Sequence, residues 1–442
     1  HSAHGVKFCI QTNFTAHSQR NITMRVVTIL NQCHDFKSFR FQHTIFSKNR
    51  KSLLVEVRPR KNGRAICSQC GTKAPGYDTL PERLFEYVPA WGFHVYLKYA
   101  MRRVQCPKCG TVVVEKVPWC DGKHHLTFYC AKYLADWAKE LAWQKVAKRF
   151  ATSWQTVAAA VTWVVEYGLA HRRVDNVTAI GVDEVAWKAG HNYLTLVYQI
   201  DPGIRRLLWI GENRTQATMK AFFNEFEALH KGFAEKINVV CSDMWSAYLK
   251  IIQAKCANAL NVLDKFHIMQ KFNKAIDNTR AVEAKRLKQQ KKDPVLSRSK
   301  WCFLKRRGNL TKKQKVKLND LLKMNLVTVK AYLLREQFQK FWDYVSPTWA
   351  GKFLDGWMAM VNKSNIEPIK KLGKTLETHR ELILNFFRAK KAFNSGIVEG
   401  LNRKINLTIR KSFGFRTIKI AKVAMYHQLG ELPEPRFTHE FW

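Results

Sequence analysis

Hydrophobic and polar positions change their period several times along the chain, and each change predicts a different kind of element. Val26 to Leu30 and Leu53 to Val57 are short runs dominated by β-branched and apolar residues, which predicts two strands, the second closed by Pro59. Leu84 to Val88 and Phe93 to Ala100 alternate apolar with polar, the period of a half-buried hairpin. From Ala131 the spacing turns helical, through Leu134, Trp137, Ala138 and Leu141 and then Val146, Ala147 and Phe150. Trp143 to Phe150, the polar turn Ala151-Thr152-Ser153 and Trp154 to Val165 predict a helix-turn-helix with Ser153 as N-cap.

The middle of the chain alternates differently. Thr178 to Val182, Tyr193 to Ile200 and Arg206 to Ile210 read as three strands, with Asp201-Pro202-Gly203 as the turn between the last two. Thr215 to Leu229 has helical spacing, Ile237 to Cys241 is a strand, Met244 to Ala254 a helix and Ala259 to Leu263 a fifth strand. The order β-β-β-α-β-α-β is that of a ribonuclease H-like core, in which the first and fourth strands lie side by side and parallel.

Cysteine spacing adds a small metal domain to this picture. Cys67-Ser68-Gln69-Cys70-Gly71 and Cys106-Pro107-Lys108-Cys109-Gly110 each put two thiolates on a tight turn, and the intervening hairpin brings the turns together around one tetrahedral zinc. The 35 residues between the pairs exceed the usual zinc-ribbon spacing by the length of that hairpin. All four positions are protein ligands, so the zinc is expected to be structural. Eleven cysteines, an odd number with four in C-x-x-C pairs, point to a reducing, intracellular compartment and away from a disulfide framework.

Charge selects the partner. The chain carries 75 Lys and Arg against 34 Asp and Glu, a formal net charge of +41, which would self-repel strongly unless a polyanion neutralised it. An anionic membrane surface is the alternative, but the chain has no apolar run of about 18 residues. The excess is concentrated in residues 265 to 330, with 20 Lys and Arg against 4 Asp and Glu, which predicts a basic helical insertion that meets phosphates. Trp301, Trp342, Trp349 and Trp357 punctuate this helical material and are expected in its core.

Against that background the acids stand out. Ala179 to Lys188 is an apolar run that delivers Asp183 among hydrophobic neighbours, and a buried carboxylate is costly unless it is paired or binds metal. Val239 to Tyr248 and Asn394 to Asn406 each present one further acid, so that Asp183, Asp243 and Glu399 form a candidate triad. Two Asp and one Glu from separate segments suit a pair of Mg2+ or Mn2+ ions activating an oxygen nucleophile at a phosphodiester. Each acid also has a plainer reading, Glu399 as a solvated helix residue beside Arg403 and Lys404. Alternation points Glu184 to the opposite face from Asp183, so it is taken as structural, and Asp201 serves its turn.

The stretches A-I-G-V-D-E-V-A-W-K-A-G-H-N-Y-L-T-L-V-Y-Q-I-D, V-C-S-D-M-W-S-A-Y, V-L-D-K-F-H-I-M and N-S-G-I-V-E-G-L-N-R-K-I-N resemble bacterial insertion-sequence transposases of the DDE superfamily, of the ISL-three type. The resemblance runs from about Cys67 to Trp442 and includes the zinc knuckles, the basic R-K-S-F-G-F-R of Arg410 to Arg416 and the L-P-E-P-R-F-T-H end. It implies an α/β protein with a ribonuclease H-like mixed-sheet core and helical insertion, preceded by a zinc ribbon and a helix-turn-helix region that recognises terminal inverted repeats. The family's acids match Asp183, Asp243 and Glu399. Asp264 and His267 resemble a D-x-x-H signature of related families and are candidates to support the triad, or else a helix cap and a core histidine. Arg403 stands where the family commonly has an uncharged residue.

On this reading residues 1–59 are an N-terminal extension with short strands, 60–125 the zinc-binding ribbon, 126–175 the helix-turn-helix, 176–270 and 391–442 the two parts of the catalytic core, and 271–390 the insertion. Residues 1–23 are assigned no function. Thr152, Ser153, Gln155 and Thr156, with Arg403, Lys404, Arg410 and Lys411, are the expected contacts to double-stranded DNA, both inverted repeats and target. Synapsis of two ends implies at least a homodimer on DNA, in a bacterial cytoplasm and associated with the nucleoid. A zinc-ribbon regulator without catalysis and a structure-specific nuclease are the alternatives.

Overall fold

The structure is a computed structural model that describes residues 25–34, 36–188, 190, 192–391, 395–412 and 414–435. Residues 1–23, Asn394, Phe413 and the tail from 436 onward, all of which enter the reading above, lie outside the described residues. The chain divides into two compact units, His1–Trp137 with Pro435–Trp442, and Ala138–Glu434.

The first unit begins with α1 (Val26–Cys33), where the sequence pattern predicts a strand. Its β-branched run is overruled by tertiary contacts: the Asn31 side chain donates to the Phe41 carbonyl and accepts from the Phe41 N–H, fastening the helix to the next strand. That strand, β1 (Phe39–Phe46), pairs with β2 (Ser52–Pro59). After the two-residue strands β3 (Ala65–Ile66) and β4 (Lys73–Ala74) comes a hairpin much longer than expected, β5 (Gly76–Ala90) and β6 (Phe93–Cys106), followed by β7 (Thr111–Val114). The sheet order is β1-β2-β6-β5 with β7 also on β6, so one sheet runs across residue 59 and joins the N-terminal strands to the zinc region. Along β6, Val95, Leu97, Tyr99 and Met101 are buried at period two. They meet Trp119, which is fully buried among Phe36, Phe39, Phe85 and Tyr99. α2 (Phe128–Glu140) follows.

The second unit opens with α3 (Trp143–Arg149) and α4 (Trp154–His171), then forms a five-stranded sheet from β8 (Ala179–Lys188), β9 (Asn192–Gln199), β10 (Arg206–Glu212), β11 (Val239–Ser242) and β12 (Leu260–Leu263). Its order is β10-β9-β8-β11-β12, antiparallel through β10, β9 and β8 and parallel from β8 through β11 to β12. The first and fourth strands are therefore neighbours and parallel, as their order predicts. Between them lie α5 (Gln216–Leu229) and the short α6 (Phe233–Lys236), and α7 (Ser246–Lys255) joins β11 to β12. Thr215 caps α5 by accepting from Thr218 N–H, and Met219, Phe222, Phe223 and Phe226 recur on one face, fully buried against Ile180, Val182 and Val240 of the sheet. Asp201 accepts from Thr178 and Gln199 side chains and closes its turn, as expected of a structural residue.

α8 (Lys265–Gln289) leads into the helical insertion, α9 (Lys300–Leu304), α10 (Lys312–Leu322), α11 (Val327–Gln339), α12 (Pro347–Lys363), α13 (Glu367–Thr378) and α14 (Arg380–Arg388). Phe272, Phe338, Trp342 and Trp357 form its aromatic core. Trp301 and Trp349 are not core residues: they are 55% and 60% exposed and stack under Lys300 and Lys352. None of the 20 basic side chains between 265 and 330 is buried, so the charge lies on the surface. One of the region's four acids, Glu283, is spent internally, accepting from the Val327 and Thr328 N–H groups at the start of α11. The chain returns to the sheet with α15 (Ser395–Lys411) and α16 (Ile418–Leu429).

Candidate metal centres and nucleic-acid interface

Cys67 and Cys106 each open a tight turn, in which Gly71 N–H bonds the Cys67 carbonyl and Gly110 N–H the Cys106 carbonyl. Gly71 and Gly110 have φ of +72° and +67°, left-handed backbone that costs glycine least, which is why a glycine follows each second cysteine. Antiparallel pairing of β3 with β4 and of β6 with β7 brings the two turns face to face. The Sγ atoms of Cys67, Cys70, Cys106 and Cys109 all lie within 4.8 Å of one another, and Cys70 and Cys106 are 3.5 Å apart. A tetrahedron of Zn–S bonds of about 2.3 Å has edges of about 3.8 Å, so the four thiols fit structural zinc. Thr72, through its side chain and backbone, brings the Cys70 thiol down to about 6, which favours the thiolate that binds metal.

The acids are assembled by strand register. Ala179, Val239 and Leu260 lie in one row across β8, β11 and β12. Four residues beyond that row lie Asp183, in the middle of β8, and Asp243 and Asp264, which directly follow the carboxyl ends of β11 and β12, where α/β sheets commonly carry ligand sites. Burial pushes the Asp183 carboxyl up to about 6, and the charges of Asp264 and Asp243 push it the same way, against the Glu184 N–H and the His267 imidazole. His267 Nε2 lies 3.8 Å from both Asp183 Oδ1 and Asp264 Oδ2. Asp264 also caps α8 by accepting from Phe266 N–H at 2.6 Å, so the cap and the acid cluster are the same residue. Asp243 Oδ1 accepts from Trp245 N–H.

Glu399 arrives on α15, which is pressed against β8: a side chain on Gly181 would meet Val398 Cγ2 at 2.6 Å. One turn beyond, Asn402 Nδ2 donates to Asp183 Oδ2 at 2.5 Å, and Asn402 Oδ1 accepts from the hydroxyl of Tyr198, a fully buried residue of β9. Tyr198 thereby fixes which way the amide faces. Neither residue was singled out from the sequence, although the three-residue step from Glu399 to Asn402 already placed them on one helix face. Glu399 itself pairs with Arg403 at 2.6 Å, so only the cysteines, among the described residues, stand close enough as they are to share one ion. Glu184 points away from Asp183, toward Tyr248 and Arg214, as alternation predicts.

Ser153 caps α4 by accepting from Thr156 N–H, and its hydroxyl also lies 2.9 Å from that of Thr156, so both side chains serve the turn. Gln155 is exposed and Thr152 half-buried beside them. Beyond its first turn α4 is core, burying Val157, Ala158, Val161, Val164 and Val165. The basic loop after α15 reaches this point, with Arg416 stacked on Trp154 at 6.0 Å. Lys404, Arg410 and Lys411 are exposed on α15, and Arg403 is exposed but paired with Glu399. No helix among the described residues is long and apolar enough to cross a membrane.

Comparison with known proteins gives two family matches. A DDE transposase family of the ISL3 type matches residues 180–425, and the zinc finger of transposases IS204, IS1001, IS1096 and IS1165 matches residues 63–109. The transposase for insertion sequence element IS1001 of Bordetella parapertussis is 30% identical over 353 residues, covering 79% of this chain and 85% of that protein. The transposase for insertion sequence element IS1557 of Mycobacterium tuberculosis is 28% identical over 410 residues, 86% of this chain and 89% of the relative. The chain belongs to the ISL3-type family of insertion-sequence DNA transposases.

Proposed function

We propose that this transposase binds the terminal inverted repeats of its element and catalyses DNA cleavage and strand transfer at Asp183, Asp243 and Glu399, in a ribonuclease H-like core. The observation that carries the reading is the parallel register of β8 and β11, which sets Asp183 beside Asp243 just past the end of β11, with α15 packed on β8. Magnesium or manganese suits this donor set, because crowded carboxylates with a raised Asp183 are relieved by a hard cation. Asp183, Asp243 and Glu399 would hold the ions, Glu399 exchanging Arg403 for metal. The pair of ions supplies nucleophile activation and charge relief at the phosphorus, for water in cleavage and for a 3′-hydroxyl in transfer. Asn402 and Tyr198 keep the Asp183 carboxylate oriented, and His267 with Asp264 supports it from α8.

End recognition is assigned to the zinc ribbon (60–125) and to a helix-turn-helix at α3 and α4 (within 126–175). There Gln155, Thr152, Ser153 and Thr156 would lie near bases, and Arg403, Lys404, Arg410 and Lys411 near phosphates. The core occupies 176–270 and 391–442, and the basic insertion 271–390 tracks the DNA backbone. Pairing of two ends calls for at least a dimer, acting on DNA in the bacterial cytoplasm and nucleoid. The test is Asp183→Asn: it should bind a labelled inverted repeat as the native protein does and lose magnesium-dependent cutting by at least about a thousandfold. Equal cutting by both proteins would overturn the assignment, and cutting without any strand-transfer product would reduce it to a nuclease.

A further inference from the structure

The guanidinium of one arginine beside this site is held in place by rings and makes no hydrogen bond among the described residues. Arg214 lies against two rings, its guanidinium carbon 4.6 Å from the centroid of Tyr193 and 4.9 Å from that of Trp245. Its nearest carboxylate, Glu184, is 3.8 Å away. Other arginines close on their acids far more tightly: Arg172 on Glu225, Arg335 on Glu336 and Arg403 on Glu399 are all at 2.6 Å. The Arg214 guanidinium nitrogens make no hydrogen bond among the described residues, and its side chain is 41% exposed.

The mount is rigid. Trp245 Nε1 donates to the Arg214 carbonyl, and Trp245 N–H donates to Asp243, so one residue ties the arginine to a carboxylate of the acidic centre. On the other side Asn213 N–H bonds the Tyr193 carbonyl and Thr215 caps α5. Contact with a ring face leaves a guanidinium its N–H donors in the plane, in the fork that fits two oxygens of one phosphate. An arginine meant only to neutralise Glu184 would be expected to close on it.

We propose that Arg214 is a phosphate anchor, gripping a phosphodiester next to the one that is cut, on the strand that passes over Asp243. The inference rests on the reading of Asp183 and Asp243 as the cleavage centre. Duplexes carrying the element's terminal inverted repeat, with a single neutral methylphosphonate placed at each position around the cleavage site, test it. Binding is measured without magnesium and cleavage with it. Arg214→Gln should cut roughly tenfold more slowly and lose about one charge from the slope of binding against salt. One methylphosphonate position should impose the same loss on the native protein and none further on the variant. Arg214→Lys, which keeps the charge without the fork, should fall between the two and serves if Arg214→Gln does not fold. Native cutting by Arg214→Gln, or a methylphosphonate loss that adds to that of the variant at every position, overturns the anchor. The second result is also what a merely structural arginine gives. Asp183→Asn run in parallel separates the two claims: if it cuts, the site assignment falls, and if it is inert while Arg214→Gln is native, only the anchor falls.

Discussion

The zinc knuckles and the acidic centre are built by opposite means. The four thiols are placed by two local turns, each five residues long and each ending in a left-handed glycine. Lowering of the Cys70 thiol is matched by raising of its neighbour Cys109, so the four need not all be charged at once and can stand in contact, as they do in this structure. Asp183 and Asp243 are set side by side by strand register, and Glu399 comes on a helix that follows a long insertion and packs on β8. Carboxylates repel at close range, and each is held by a group that is not an acid: Asp183 by Asn402, Asp243 by the Trp245 N–H, Glu399 by Arg403. Each half of a site made from local turns is complete in itself, whereas a site made by long-range packing depends on the residues that hold its parts apart.

The sharpest way to break this contrast is to remove one ligand from the local site. Cys106→Ser leaves three thiols beside a small core whose buried members are Ala65, Cys67, Ala74, Val104 and Cys106. Zinc in such sites contributes on the order of 10 kcal/mol to folding. The variant should lose its bound zinc, read by elemental analysis, and the knuckle region should become protease-sensitive while residues 138–434 keep their structure. Full retention of zinc would mean that the cysteine cluster is not the metal site.

The long-range site should fail more gradually. Asn402→Ala removes a donor from Asp183 and strands the Tyr198 hydroxyl in the core. Groups that orient a metal ligand typically matter by 10–100-fold, so cleavage should fall by about that much with inverted-repeat binding unchanged. Asn402→Asp, which keeps the size but faces Asp183 with a second carboxylate, should raise the magnesium concentration needed for half-maximal cutting. Native rates for both variants would show that α15 is positioned by Val398 and the hydrophobic contacts alone.

How much of this was legible in the sequence follows the same division. Cysteine and glycine spacing announced the zinc site because each half of it is a five-residue turn that carries its own signature. Alternation and apolar runs gave the five core strands and their order, since β8, β9 and β11 are buried enough to show as continuous hydrophobic stretches. Val26 to Leu30 misled because strand propensity there is overruled by the packing of α1 on β1, a contact that no local pattern contains. Trp301 and Trp349 misled because a tryptophan in a helical stretch reads as core whichever face it occupies. Asn402, Tyr198 and Arg214 were invisible for the reason that gives them weight: each acts through a partner distant in sequence.

The finest division lies between adjacent residues of β8. Asp183 faces Asn402 and His267, whereas Glu184 faces Tyr248 and Arg214 on the other side of the strand, and both carboxyls are raised chiefly by burial. Only Asp183 lies on the side where α15 brings Glu399. Glu184→Gln keeps the size of the side chain and removes a charge that burial disfavours and that Asp243 repels. Cutting by this variant should stay within about threefold of the native rate, against a loss of a thousandfold or more for Asp183→Asn. If Glu184→Gln were as inert as Asp183→Asn, alternation along β8 would not separate a catalytic face from a structural one, and the centre would have to be redrawn around four acids.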